Sequence, residues 1–188
     1  MHHPLLNELF SKRRSLRALS DLPIEADKLI SIFESARWAP SANNQQPWRF
    51  IYAQRENKAD FERLFNCLLP GNQVWVKNAS VLLVTVAEVI SSYNQKNNPY
   101  AWHDTGLATE NLILQATHLG LIAHPMAGFD KDKARKDLHI PPSFEPVAMV
   151  AVGYPGDINE LPPELQEKER GMRVRRPIND LFFKGRFE

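Results

Sequence analysis

Two stretches of this sequence leave no room for a hydrophilic face. Ser80–Ala87 (S-V-L-L-V-T-V-A) and Val147–Tyr154 (V-A-M-V-A-V-G-Y) are almost continuously apolar and rich in branched side chains. A run of that length and type reads as a strand covered on both faces, because a half-solvated strand would alternate. The rest of the chain must therefore supply two covering layers. It offers amphipathic segments in the right places. Residues 4–14 carry Leu5, Leu6, Leu9 and Phe10 on one helical face. Glu25–Trp38 carries Leu29, Ile32, Phe33 and Ala36. Asn57 caps a helix with Phe61, Leu64, Phe65 and Leu68. Pro70-Gly71 reads as a chain break. His103–His118 is the longest helical pattern, with an inward stripe of Leu107, Ala108, Asn111, Leu112, Gln115 and Leu119 and with Gly120 just past its end. Asp130 caps a charged helix to Leu138. Trp48–Ala53 and Leu121–His124 read as further strands, the latter stopping before Pro125. Alternation of this kind places helices on the faces of one central sheet.

With 188 residues, one domain spanning residues 1–188 is expected. From Leu161 onward large apolar residues are scattered and cannot form a core of their own, so residues 161–188 must lie across something, a second subunit being one option. Lys plus Arg is 23 and Asp plus Glu is 22, a formal +1, which argues against a nucleic-acid binder. No apolar run approaches the ~20 residues of a membrane span. Met1-His2-His3-Pro4 does not begin a secretory signal, and the single cysteine, Cys67, allows no internal disulfide. A reduced, cytoplasmic setting is the expectation. Cys67 falls on an apolar helix face and reads as an inert buried thiol.

The sequence lacks a P-loop, a G-x-G-x-x-G, an H-E-x-x-H and a G-x-S-x-G, and His103, His118, His124 and His139 show no metal-ligand spacing. An enzyme built this way needs a bound cofactor to carry its reaction. Four segments can bind one. Arg13-Arg14-Ser15-Leu16-Arg17 offers bidentate, always-charged donors to an anion, or is a solvated basic turn. Ser41, Asn43, Asn44, Gln45 and Gln46, between Pro40 and Pro47, offer amides and a hydroxyl that can read a heterocycle edge, or form a surface loop. His124–Asp130 contains Gly128, which lets a flat ligand approach the backbone, or is a plain turn. Arg173-Val174-Arg175-Arg176 can complete the anion site from the tail, or is a solvated stretch.

Together these segments resemble the nitroreductase family of FMN-dependent oxidoreductases. The resemblance is carried by R-R-S-L-R at 13–17, A-R-W-A-P-S-A-N-N-Q-Q-P-W-R-F at 36–50, G-N-Q-V-W at 71–75, D-T-G-L-A-T-E-N-L-I-L-Q-A at 104–116, H-P-M-A-G-F-D at 124–130 and R-R-P in the tail. It implies an α+β, three-layer fold with a mostly antiparallel sheet, and an intertwined homodimer whose extension at 161–188 wraps the partner. FMN would lie at the dimer interface, accept a hydride from NADH or NADPH, and reduce nitroaromatics, quinones or similar acceptors by a ping-pong route. Other flavin enzymes of this kind (reductive dehalogenases, flavin-fragmenting enzymes) and a non-catalytic flavin-binding dimer are the alternatives. The loop at 91–101 is the only modest lid.

Carried over by residue, the resemblance puts Arg13, Arg14 and Ser15 on the FMN phosphate and ribityl chain, and Arg17 near the N1/O2 edge. Ser41, Ala42, Asn44 and Gln46 would come from the other subunit. Asn72 would meet the pyrimidine edge, and Met126, Ala127 and Gly128 the region of N5. Arg173 and Arg175 would return to the phosphate. Two positions depart from the pattern: Ala127 stands where some relatives carry an acid, and Trp75 near where they carry a lysine. No side chain is an obvious acid or base, so no catalytic residue is assigned, and no metal.

Overall fold

The computed structural model describes residues 4–187, so Met1-His2-His3 of the N-terminal reading lies outside the described residues. Four strands form one sheet: β1 (Trp48–Gln54), β2 (Val81–Glu88), β3 (Ile122–Met126) and β4 (Phe144–Gly153). Their order is β1-β2-β4-β3 and every pairing is antiparallel. The two doubly apolar strands are the inner pair, and every residue of β2 is buried. Adjacent residues of β2 enter opposite layers. Leu82, Val84 and Val86 join one core with Phe61, Leu64, Trp75, Met149 and Ala151. Val81 and Leu83 join the other with Leu29, Ile32, Leu112, Val150 and Val152. Full burial of one such aliphatic side chain contributes about 1.5–3 kcal/mol.

The first of these cores is roofed by α3 (Lys58–Phe65), α4 (Pro70–Val76) and α6 (Lys131–Asp137). The second is roofed by α2 (Ala26–Arg37) and α5 (Ala101–His118). This is the α+β, three-layer arrangement expected. A short α1 (Glu8–Lys12) precedes the layers and α7 (Pro163–Arg170) follows them. Among the described residues no helix is long and apolar enough to cross a membrane. Cys67 is fully buried, and burial together with Asp137 pushes its thiol above the ordinary value, which suits an inert thiol.

Several expectations are corrected. The helix expected at 4–14 covers only Glu8–Lys12, capped by the Asn7 side chain. Arg13 is already extended, and Leu5, Leu6 and Phe10 are exposed. Pro70-Gly71 does not break the chain but opens α4, with Pro70 in the first turn, where its missing N–H costs nothing. β3 runs through Pro125 to Met126, which an edge strand tolerates. In α5 the buried face is Ala101, Asp104, Thr105, Ala108, Leu112, Ile113 and Ala116. Asn111 and Gln115 are instead half-buried against α2, where Asn111 Nδ2 donates to the Ser35 carbonyl (3.2 Å) and Gln115 Nε2 to Ser31 Oγ (2.9 Å). The helix packs on two neighbours, so its stripe is wider than the apolar periodicity shows.

Candidate functional site

The strap Arg13–Arg17 is held straight by its surroundings. Just past it, Ser20 N–H donates to the Tyr154 carbonyl (2.9 Å) and Gly156 N–H to the Ala18 carbonyl (2.8 Å). A Cβ at Gly156 would stand 2.5 Å from the Leu19 carbonyl carbon, so only glycine permits this approach. From the tail, the buried carboxylate of Glu169 accepts from the Arg17 N–H (2.5 Å) and the Ala18 N–H (2.9 Å).

The two arginine knots meet, and each closes the other's helix. Arg14 donates to the carbonyls of Glu169 and Gly171, both at 3.0 Å, at the end of α7. Arg173 donates to the carbonyls of Phe10 (3.2 Å), Ser11 (3.0 Å) and Arg13 at the end of α1. Cations at helix C-termini meet the negative end of the dipole. The cations of both knots line two adjoining clefts. One, of about 850 Å³, is walled by Arg13, Ser15, Glu110, Pro125, Arg173, Arg175 and Arg176. The other, of about 290 Å³, is walled by Arg13–Arg17, Glu169, Arg173 and Arg175. Burial first, then the charges of Arg175, Arg13 and Arg14, push the Arg173 guanidinium below its ordinary value, and an anion in the cleft would relieve the part that comes from charge.

The turn after β3 is tied to α4. Asn72 Nδ2 donates to the Gly128 carbonyl (2.9 Å), which also accepts from the Leu69 N–H (3.1 Å). A Cβ on Gly128 would stand 2.7 Å from Asn72 Nδ2. With one Nδ2 hydrogen engaged, Asn72 can offer a ligand its carbonyl oxygen and the second N–H. Ala127 is exposed and Gly128 half-buried, whereas the Met126 side chain packs in the core.

The loop Ser41–Gln46 stands apart from this cluster within one chain. Its backbone enters the left-handed region at Asn43, Asn44 and Gln46, with φ of 51°, 54° and 49°. Asp104, buried in the first turn of α5, fixes it by accepting from the Ala42 N–H (2.9 Å), and Ser41 Oγ accepts from the Gln46 N–H (3.0 Å). Asn43, Asn44 and Gln45 line a different cleft of about 650 Å³ with Glu88 and Ser91–Asn94 of the 91–101 loop. One chain therefore brings together Arg13, Arg14, Ser15, Arg17, Arg173 and Arg175, brings Asn72 to Gly128, and leaves Ser41, Ala42, Asn44 and Gln46 in a second cluster. Sequence reasoning did not single out Glu169, Asp104 or His124 as the residues that hold these segments. Each is a polar residue inside an apolar or charged run, a signal that marks burial only once the partners are known.

A family model described as "Nitroreductase family" matches residues 10–154. A solved structure described as an oxidoreductase containing FMN is 39% identical, with a TM-score of 0.93 over 100% of this chain and 96% of that one. A nitroreductase family protein from Clostridium difficile 630 is 25% identical, with a TM-score of 0.75 over 96% of this chain and 98% of that one. An Archaeoglobus fulgidus protein provisionally named an NADH dehydrogenase/NAD(P)H nitroreductase is 34% identical over 155 residues, 77% of this chain and 82% of its own.

Proposed function

Because the chain belongs to the nitroreductase family, we propose that it is a cytoplasmic FMN-dependent oxidoreductase. It takes a hydride from NAD(P)H and reduces nitroaromatic, quinone or similar small acceptors by a ping-pong route, as a homodimer with a site at each end of the interface. The observation that carries this reading is the meeting of residues 13–17 with residues 173–176, more than 150 positions away, around two adjoining arginine-lined clefts. A single phosphate has that chemistry, and a chain of net charge +1 has no use for the cluster as a polyanion surface.

The residues fit the group. The larger cleft falls in the ordinary range of roughly 300–1,000 Å³ for cofactor sites. Arg13, Ser15 and Arg175 supply donors for the phosphate, with Arg14 and Arg173 keeping the two knots together. The space a Cβ would take at Gly128 is filled by the Asn72 amide, so glycine is what lets Asn72 sit against the main chain proposed to meet the ring. FMN, when bound, supplies the capacity to accept and deliver a hydride. The chain's part is to bind and orient: Asn72 and the main chain at Ala127 and Gly128 face the ring, and Arg17 stabilises negative charge at the pyrimidine edge. Ser41, Ala42, Asn44 and Gln46 of the second copy close the site. No side chain is assigned as an acid or base, which leaves proton transfer to solvent.

Purified protein is expected to be yellow and to release FMN on denaturation. Anaerobic mixing with NADH and with NADPH should bleach the flavin, and an acceptor panel should restore it. A colourless protein that cannot be reconstituted with FMN overturns the reading. FMN that binds but is bleached by neither nucleotide turns it into a flavin-binding protein without this activity.

A further inference from the structure

Arg17 differs from the other cations of the knot in what stands behind it. Its guanidinium carbon lies 6.0 Å from the centroid of the Trp75 ring. Trp75 is 3% exposed and stacks in turn on His124, with ring centroids 4.6 Å apart and an angle of 37°. His124 Nδ1 lies 3.0 Å from the carbonyl of Leu16, the residue before Arg17. A carbonyl only accepts, so Nδ1 carries the proton and donates. The column therefore grips Arg17 twice, by its side chain through Trp75 and by its main chain through His124 and Leu16. Glu169 completes the hold at the Arg17 N–H, and its second oxygen stands 3.9 Å from the guanidinium.

We infer that Trp75 and His124 are positioning residues that pre-set the Arg17 guanidinium for the flavin's pyrimidine edge, an inference that rests on the FMN reading above. The physical case is one of preorganisation. A long, solvated side chain must be ordered before it can stabilise developing charge. One already packed on a ring reorganises little, and its field acts at full strength. The imidazole suits the role because it stays neutral: burial first, with Arg17 also opposing a second positive charge, holds it down at about 4. It buttresses the guanidinium without repelling it.

The test is the midpoint potential of FMN bound to the dimer. Arg17→Gln should weaken the preference for reduced over oxidised flavin about tenfold, or about 30 mV for a two-electron couple. Trp75→Leu should reproduce most of that shift, whereas Trp75→Phe, which keeps a ring, should stay near wild type. Combined with Arg17→Gln, Trp75→Leu should add nothing. His124→Asn gives a second route through a smaller change: a shift of the same sign with Arg17 present and none without it. Equal shifts in both backgrounds, or no shift from either column variant, overturn the inference. An unchanged potential in Arg17→Gln overturns it too, while leaving the FMN reading intact. Wild-type protein that binds no FMN fails at the earlier step, and the two failures are distinct.

Discussion

His124 links the site to stability, and its protonation gives the link a pH window. Its ordinary value of 6.5 falls to about 4 in the folded chain. Between these values the unfolded chain binds a proton that the folded chain refuses. Stability from this group is therefore complete above about pH 6.5, declines as the pH falls, and is fully lost by about pH 4. The size is roughly 3 kcal/mol, since one unit is about 1.4 kcal/mol. Urea unfolding at pH 7.5 and 4.5 should show wild type losing most of that, about 2.5 kcal/mol, beyond what His124→Asn loses, the comparison removing what the carboxylates contribute. Equal losses would show that the imidazole is not held neutral. The sequence marks His124 as the start of a candidate ligand-binding turn and as a histidine without metal-ligand spacing, and not as a support for Arg17. Its ring neighbour, Trp75, lies 49 positions earlier, and no local pattern joins them.

At the scale of elements, what was legible is what is local. Asn57 and Asp130 read as caps because a cap is a short-range bond, and each accepts from the N–H three residues on. β2 and β4 read as inner strands because burial on both faces erases alternation. Pro70 misled because proline ends one helix and starts another with equal ease, and the choice rests on the backbone at Leu69. The wall between α7 and the strap was illegible, since Glu169 pairs with residues 151 and 152 positions away. That contact predicts its own consequence. Glu169→Ala strands one buried and one half-buried N–H donor and should cost about 2–4 kcal/mol by denaturant unfolding. It should also free the tail, speeding limited proteolysis near 165–175. Glu169→Gln, which keeps an acceptor, should cost less. If proteolysis of the alanine variant is unchanged, Glu169 does not hold α7 to the strap.

For the whole molecule, two clusters that a single chain keeps apart pose the question of how they meet. Arg13–Arg17 with Arg173–Arg176 form one, and Ser41–Gln46 with the start of α5 the other. The tail poses the same question. Met172, Val174, Ile178, Leu181, Phe182, Phe183 and Phe187 are exposed, with the rings of Phe183 and Phe187 paired at 4.5 Å between centroids. Apolar surface on this scale calls for a cover, and the two-fold pairing proposed above would cover the tail and join the clusters in one step. Such a site would be shared, and shared sites complement. Arg13→Ala with Arg175→Ala should abolish FMN binding in a homodimer, and so should Ala42→Glu in the loop. In a mixed dimer isolated through two different tags, one site collects all three changes and the other collects none. That dimer should hold about one FMN where wild type holds about two. If each chain built its whole site alone, both sites of the mixed dimer would carry a lesion, and it would hold none.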